Sequence, residues 1–98
     1  MTIIELNSYF QSALLFNVPK NLVRLSYEIS KNKLIVLAIF ENIPMDYERD
    51  CINSTVGEVL GNYSEIISSK VEYQVKGGAN KEIDLQNLVF AQYDSEMY

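Results

Sequence analysis

The sequence predicts an α+β fold: an antiparallel four-stranded sheet with two helices, in the order α-β-β-α-β-β. Three observations carry that reading. Val23, Leu25, Tyr27 and Ile29 alternate with polar residues, and an almost wholly apolar run, Leu34 to Phe40, follows after a short polar break. Period-two alternation is the mark of a half-buried strand. Between residues 45 and 68, apolar side chains recur instead at three- and four-residue spacing, which is helical. After that stretch the pattern returns to alternation, broken by Gly77-Gly78-Ala79-Asn80, a turn-forming cluster.

The elements follow in order. Residues 3–16 form the first expected helix, with Leu6, Tyr9, Phe10, Ala13 and Leu14 along one stripe. Asn17-Val18-Pro19 should stop it, because the residue before a proline avoids the helical region. Residues 22–29 and 34–41 are expected to pair as a hairpin. Lys31-Asn32 sits where its tight turn is needed, and asparagine tolerates positive φ. The second strand is apolar on both faces, which places it in the interior of the sheet, covered on each side or meeting a partner on one.

Residues 45–68 should form a long helix burying Ile52, Val56, Val59, Leu60, Tyr63 and Ile67. Pro44 is tolerated at its start, and Asp46 and Glu48 complement the exposed amides of its first turn. Gly57 and Gly61 cost about 1 kcal/mol each in helix propensity; a close approach by a neighbouring element and mere tolerance both fit them. Residues 69–76 and 83–93 complete the sheet, the third strand turning Val71, Tyr73 and Val75 to one side. Residues 94–98 are expected to fray.

Composition narrows the function. Ninety-eight residues with 48% hydrophobic content suit one domain, residues 1–98, with a core of its own. The single cysteine, Cys51, has no intramolecular disulfide partner, which fits a reducing, cytoplasmic setting. The opening residues lack a secretory pattern, and the longest apolar stretch is seven residues, so neither export nor a membrane span is expected. The chain contains no histidine, the usual proton shuttle near neutral pH and a frequent metal ligand. No catalytic, cofactor-binding or metal-binding residue is assigned, and Cys51 has no histidine to activate it. A net charge of −5 disfavours nucleic acid and favours basic protein partners.

The acids are unevenly spread. Residues 41–66 hold six acids, Glu41, Asp46, Glu48, Asp50, Glu58 and Glu65, against Arg49 alone. On the long helix, Tyr47, Asp50, Ser54, Glu58, Gly61 and Glu65 lie opposite the apolar stripe. A solvated helix face and a binding surface both fit that line. The segment Glu41–Asp50, reading ENIPMDYERD, is the sharpest local feature, joining four acids to a tyrosine and a methionine. Interfaces favour such anchors within a polar rim. The candidate partner-binding residues are therefore Glu41, Asp46, Tyr47, Glu48, Asp50, Glu58 and Glu65.

Residues 23–66, VRLSYEISKNKLIVLAIFENIPMDYERDCINSTVGEVLGNYSEI, resemble the small immunity proteins of bacterial contact-dependent growth inhibition systems. The hairpin, the ENIPMDYERD junction and the helix with Val56, Glu58 and Val59 carry the resemblance. It implies a cytoplasmic protein that neutralises the toxic domain of a secreted effector, often a nuclease, by covering its active site or substrate groove. An acidic interaction or assembly module that self-associates, with no toxin target, is the alternative.

Overall fold

The computed structural model describes residues 2–15, 18–76 and 85–91. Its elements are α1 (Ile3–Leu15), β1 (Leu22–Ser30), β2 (Lys33–Phe40), α2 (Asp46–Asn62), β3 (Ser68–Val75) and β4 (Asn87–Ala91). The expected order α-β-β-α-β-β is the observed one. Asn17, the 77–80 turn cluster, Ile83 and the 94–98 tail lie outside the described residues.

Strands β1 and β2 pair antiparallel from Ser30↔Lys33 to Leu22↔Phe40. Lys31 and Asn32 both take positive φ, 51° and 63°. Two successive residues in that region form the mirror-image turn whose twist matches the flanking strands. The sheet order is β3-β2-β1-β4, so the apolar β2 is interior, as its two-faced pattern requires.

One pairing differs from the expected antiparallel sheet. β4 pairs antiparallel with β1, but β3 lies parallel to β2. The connection from β2 to β3 runs through α2 and returns the chain to the same end of the sheet. A strand reached by such a crossover enters in the same direction as the first.

Both helices pack on one face of the sheet. Tyr27, Leu25, Leu34, Val36, Ala38 and Phe40 meet Leu6, Phe10 and Leu14 of α1 and Ile52, Val56 and Val59 of α2. Thr2 caps α1, its Oγ1 accepting from the Glu5 N–H at 3.1 Å. Phe10 stacks on Tyr27 with ring centroids 4.7 Å apart, and the Tyr27 hydroxyl donates to Asn7 Oδ1 at 2.6 Å. Burial, and to a lesser degree Tyr63, pushes the Tyr27 phenol up to about 12. On the opposite face Leu37, Ile39 and Ser26 are also buried, and Ser26 Oγ accepts from the Leu85 N–H at 2.9 Å.

α2 is shorter than the expected 45–68. It ends at Asn62, whose side chain donates back to the Glu58 carbonyl at 3.0 Å, and Tyr63 is extended. The chain then turns, and the Ile67 N–H donates to the Asn32 carbonyl at 2.9 Å. Ile67 is consequently exposed, and Ile66 takes the buried position instead. Gly57 and Gly61 face open space rather than a close neighbour, so their cost in helix propensity has no packing return. The fourth strand is described over Asn87–Ala91, within the expected 83–93, and Leu85 precedes it as irregular chain.

Candidate functional site

The junction between β2 and α2 begins where three chain segments meet. Leu22 opens β1 opposite Phe40, which closes β2, and Phe40 lies beside Val75 at the end of β3. Asn21, just before β1, is thereby set against Glu41 and Asn42. Its carbonyl accepts from the Glu41 N–H at 2.9 Å. Its side-chain Oδ1 accepts from the Asn42 N–H at 2.9 Å, and its Nδ2 donates to the Asn42 carbonyl at 2.8 Å. One side chain thus pairs with both backbone polar groups of Asn42, as a neighbouring strand would.

Glu48 fixes the other end. Met45 stands at the N-cap of α2, and its own side chain supplies no cap. The Glu48 carboxylate reaches back instead, its Oε1 accepting from the Met45 N–H at 3.0 Å. That is the reciprocal half of a capping box. Asn21 Nδ2 lies 3.4 Å from the same oxygen, which ties the two supports together. Glu48 keeps only 4% of its surface. It therefore departs from the expectation of an exposed carboxylate: it is turned inward to accept from the N–H of Met45, the N-cap amide that no helical carbonyl reaches.

With the backbone held by Asn21 and Glu48, three large apolar side chains face solvent. Ile43, Met45 and Tyr47 are 80%, 62% and 63% exposed, while Pro44 between them is buried. Together with Lys20, Asn21, Glu41, Asn42 and Glu48 they line an open concavity of about 510 Å³. Three large exposed apolar side chains within five residues form a patch of the kind that marks interaction sites.

The candidate acids divide by position. Glu41 and Glu48 line the concavity with Tyr47. Asp46 sits beside it, exposed and bridged to Arg49, which also donates to the Pro44 carbonyl at 2.9 Å. Asp50 is exposed on the next turn, on the side of α2 that meets β3. There Tyr73 donates to Asn53 at 3.0 Å. Burial is the main cause that raises the Tyr73 phenol; the Asn53 bond and Arg49 oppose it, and Asp50 adds to it. Glu58 lies about 18 Å along the axis from Asp46 at helical rise, and Glu65 falls in the turn beyond the helix. Both are exposed, and neither reaches the concavity.

Sequence reasoning passed over Asn21 and Ile43 as site residues, and noted Met45 as an anchor of the junction without placing it among the candidate residues. Ile43 could have been found from two apolar residues flanking a proline between acids. Asn21 gives no local signal, because its partners lie 21 residues away. Among the described residues no cluster of cysteine or acidic side chains is arranged to hold a metal ion, and no helix is long and apolar enough to cross a membrane.

The family model of the MafI2 immunity proteins matches residues 4–94, nearly the whole chain. The chain belongs to the MafI2 immunity-protein family. It is an immunity protein of a toxin–immunity system, a binding protein rather than an enzyme, and its partner is a cognate toxin. No curated protein matches the chain. In this MafI2 immunity protein, exposed apolar side chains, acids and a hydrogen-bonded backbone coincide at the junction.

Proposed function

We propose that this immunity protein acts in the cytoplasm on a basic toxin domain, a nuclease, by seating the Glu41–Asp50 junction in the toxin's active site or substrate groove. The observation that carries this reading is the exposed trio Ile43, Met45 and Tyr47, with Glu41 lining the same concavity and Asp46 and Asp50 exposed on the first turns of α2. A nuclease must attract phosphate, so its groove is rich in lysine and arginine. Acids opposite such a groove speed encounter and fix register. Apolar side chains at the centre exclude water and supply most of the affinity. Glu58 and Glu65, outside the concavity, add to the long-range field rather than to contact.

The test is co-purification from the native cell background at low salt, with mass spectrometry of the bound partner. A basic domain should be recovered, and the double variant Tyr47→Ala/Asp50→Asn should release it. Recovery of the protein alone, or only as a dimer, would sink the reading in favour of the self-associating assembly module.

A further inference from the structure

Glu48 is the unusual member of the site. It is an acid nine-tenths buried, yet it lines an open concavity. Its Oε1 is engaged by the Met45 N–H and Asn21. Its Oε2 has no hydrogen-bond or ion-pair partner among the described residues, and no polar side-chain atom there is both fully buried and unpartnered. The second oxygen therefore keeps solvent access, on a residue that lines the concavity. Arg49, the adjacent cation, is committed to Asp46 and the Pro44 carbonyl. Lys20 lines the concavity without an ion pair to Glu48.

A carboxylate held in place through one oxygen, with the other unpartnered and no cation beside it, is a fixed acceptor for a charged donor brought by a partner. We propose that the concavity is a receptor for an arginine side chain of the toxin, its guanidinium paired with Glu48 Oε2 at the floor. Glu41 stands on the wall, and the exposed Tyr47 ring offers a face for stacking. Arginine fits better than lysine for a physical reason. Its planar head is weakly hydrated, binds carboxylates through a fixed fork, and stacks on aromatic rings. This inference rests on the reading of the junction as the toxin-binding surface, and names the group that enters it.

The test needs no toxin, so its failure is separable from failure of the co-purification. The full chain, labelled with ¹⁵N, is titrated by NMR with N-acetyl-arginine amide, the lysine analogue, and the uncharged isostere N-acetyl-citrulline amide. The arginine probe should give saturable shifts at the Asn42, Met45 and Glu48 amides, at millimolar affinity for so small a ligand. Citrulline should bind at least about tenfold more weakly, and lysine more weakly than arginine. Glu48→Gln keeps an acceptor for the Met45 N–H while removing the charge, and should lower arginine affinity by about tenfold. Tyr47→Leu, at an exposed position, should lower it several-fold and serves if the Gln variant does not fold. Equal binding of citrulline, equal binding of lysine, shifts of the same size at Glu58, or full affinity in both variants would each overturn the proposal.

Discussion

The two parts of the acidic stretch from Glu41 to Glu65 both carry acids, four in Glu41–Asp50 and two in residues 51–65, but they differ in structure. In the first half the backbone is bonded from behind by Asn21 and Glu48, and Ile43, Met45 and Tyr47 project between acids. In the second half Glu58 and Glu65 stand on ordinary exposed chain, beside two glycines that face open space. Charge is common to both. What distinguishes the junction is apolar surface held in one geometry, because ordering costs are met before a partner arrives.

That contrast can be broken experimentally, beginning with the largest effect. Tyr47→Ala should weaken toxin binding by about 2–4 kcal/mol, in the range of a central aromatic anchor, and leave the thermal midpoint nearly unchanged. Calorimetric titration together with a melting curve checks both halves of the expectation. Loss of stability in step with binding would mean that the ring packs rather than binds. Asn21→Ala removes both side-chain bonds to Asn42 and should cost about 1–3 kcal/mol of stability. Amide exchange in residues 41–45 should rise in that variant more than in the rest of the chain.

In the distal half the signs differ. Gly57→Ala and Gly61→Ala should each stabilise the chain by about 0.5–1 kcal/mol, since an added methyl meets nothing and helix propensity improves. Toxin affinity should not change. Glu58→Gln should move stability and affinity by less than about 0.5 kcal/mol, with only a small slowing of association at low salt. A large loss of affinity at Glu58 would shift the interface along α2 and away from the junction.

The core supplies an independent reference for these measurements. Tyr27 is neutral below its ordinary value of 10 in both folded and unfolded chains. As pH rises from 10 toward about 12 the unfolded chain loses its proton first, so stability falls across that window. Tyr27→Phe should flatten the fall in a denaturant series taken across alkaline pH, though it also removes the bond to Asn7.

Much of this architecture was legible in local pattern. The hairpin could be read because its alternation and its Lys31-Asn32 turn lie within twenty residues of chain. The helical stripe of Ile52, Val56 and Val59 was legible for the same reason. The direction of β3 was not, because side-chain alternation is identical in parallel and antiparallel strands, and only the crossover through α2 decides it. Ile67 was misplaced because the periodicity runs on past Asn62 while the backbone turns to enter β3. At the site, composition marked the junction but hid the role of Glu48. An N-cap methionine lacks the usual serine, threonine or aspartate signal, so the glutamate three residues on did not announce itself as a cap.

The alternation of buried support and exposed side chain at the junction also bears on how such a protein can acquire new targets. The side chains of Ile43, Met45 and Tyr47 project outward, while Asn21, Glu48 and Pro44 hold the loop. Replacing the outward three changes what a partner meets and leaves the hydrogen bonds that shape the loop in place. On the reading proposed above, recognition by these three is separated from the folding role of Asn21 and Pro44, while Glu48 serves both. Under that reading the outward three can be changed one at a time to retarget the inhibitor, without passing through a form that no longer folds.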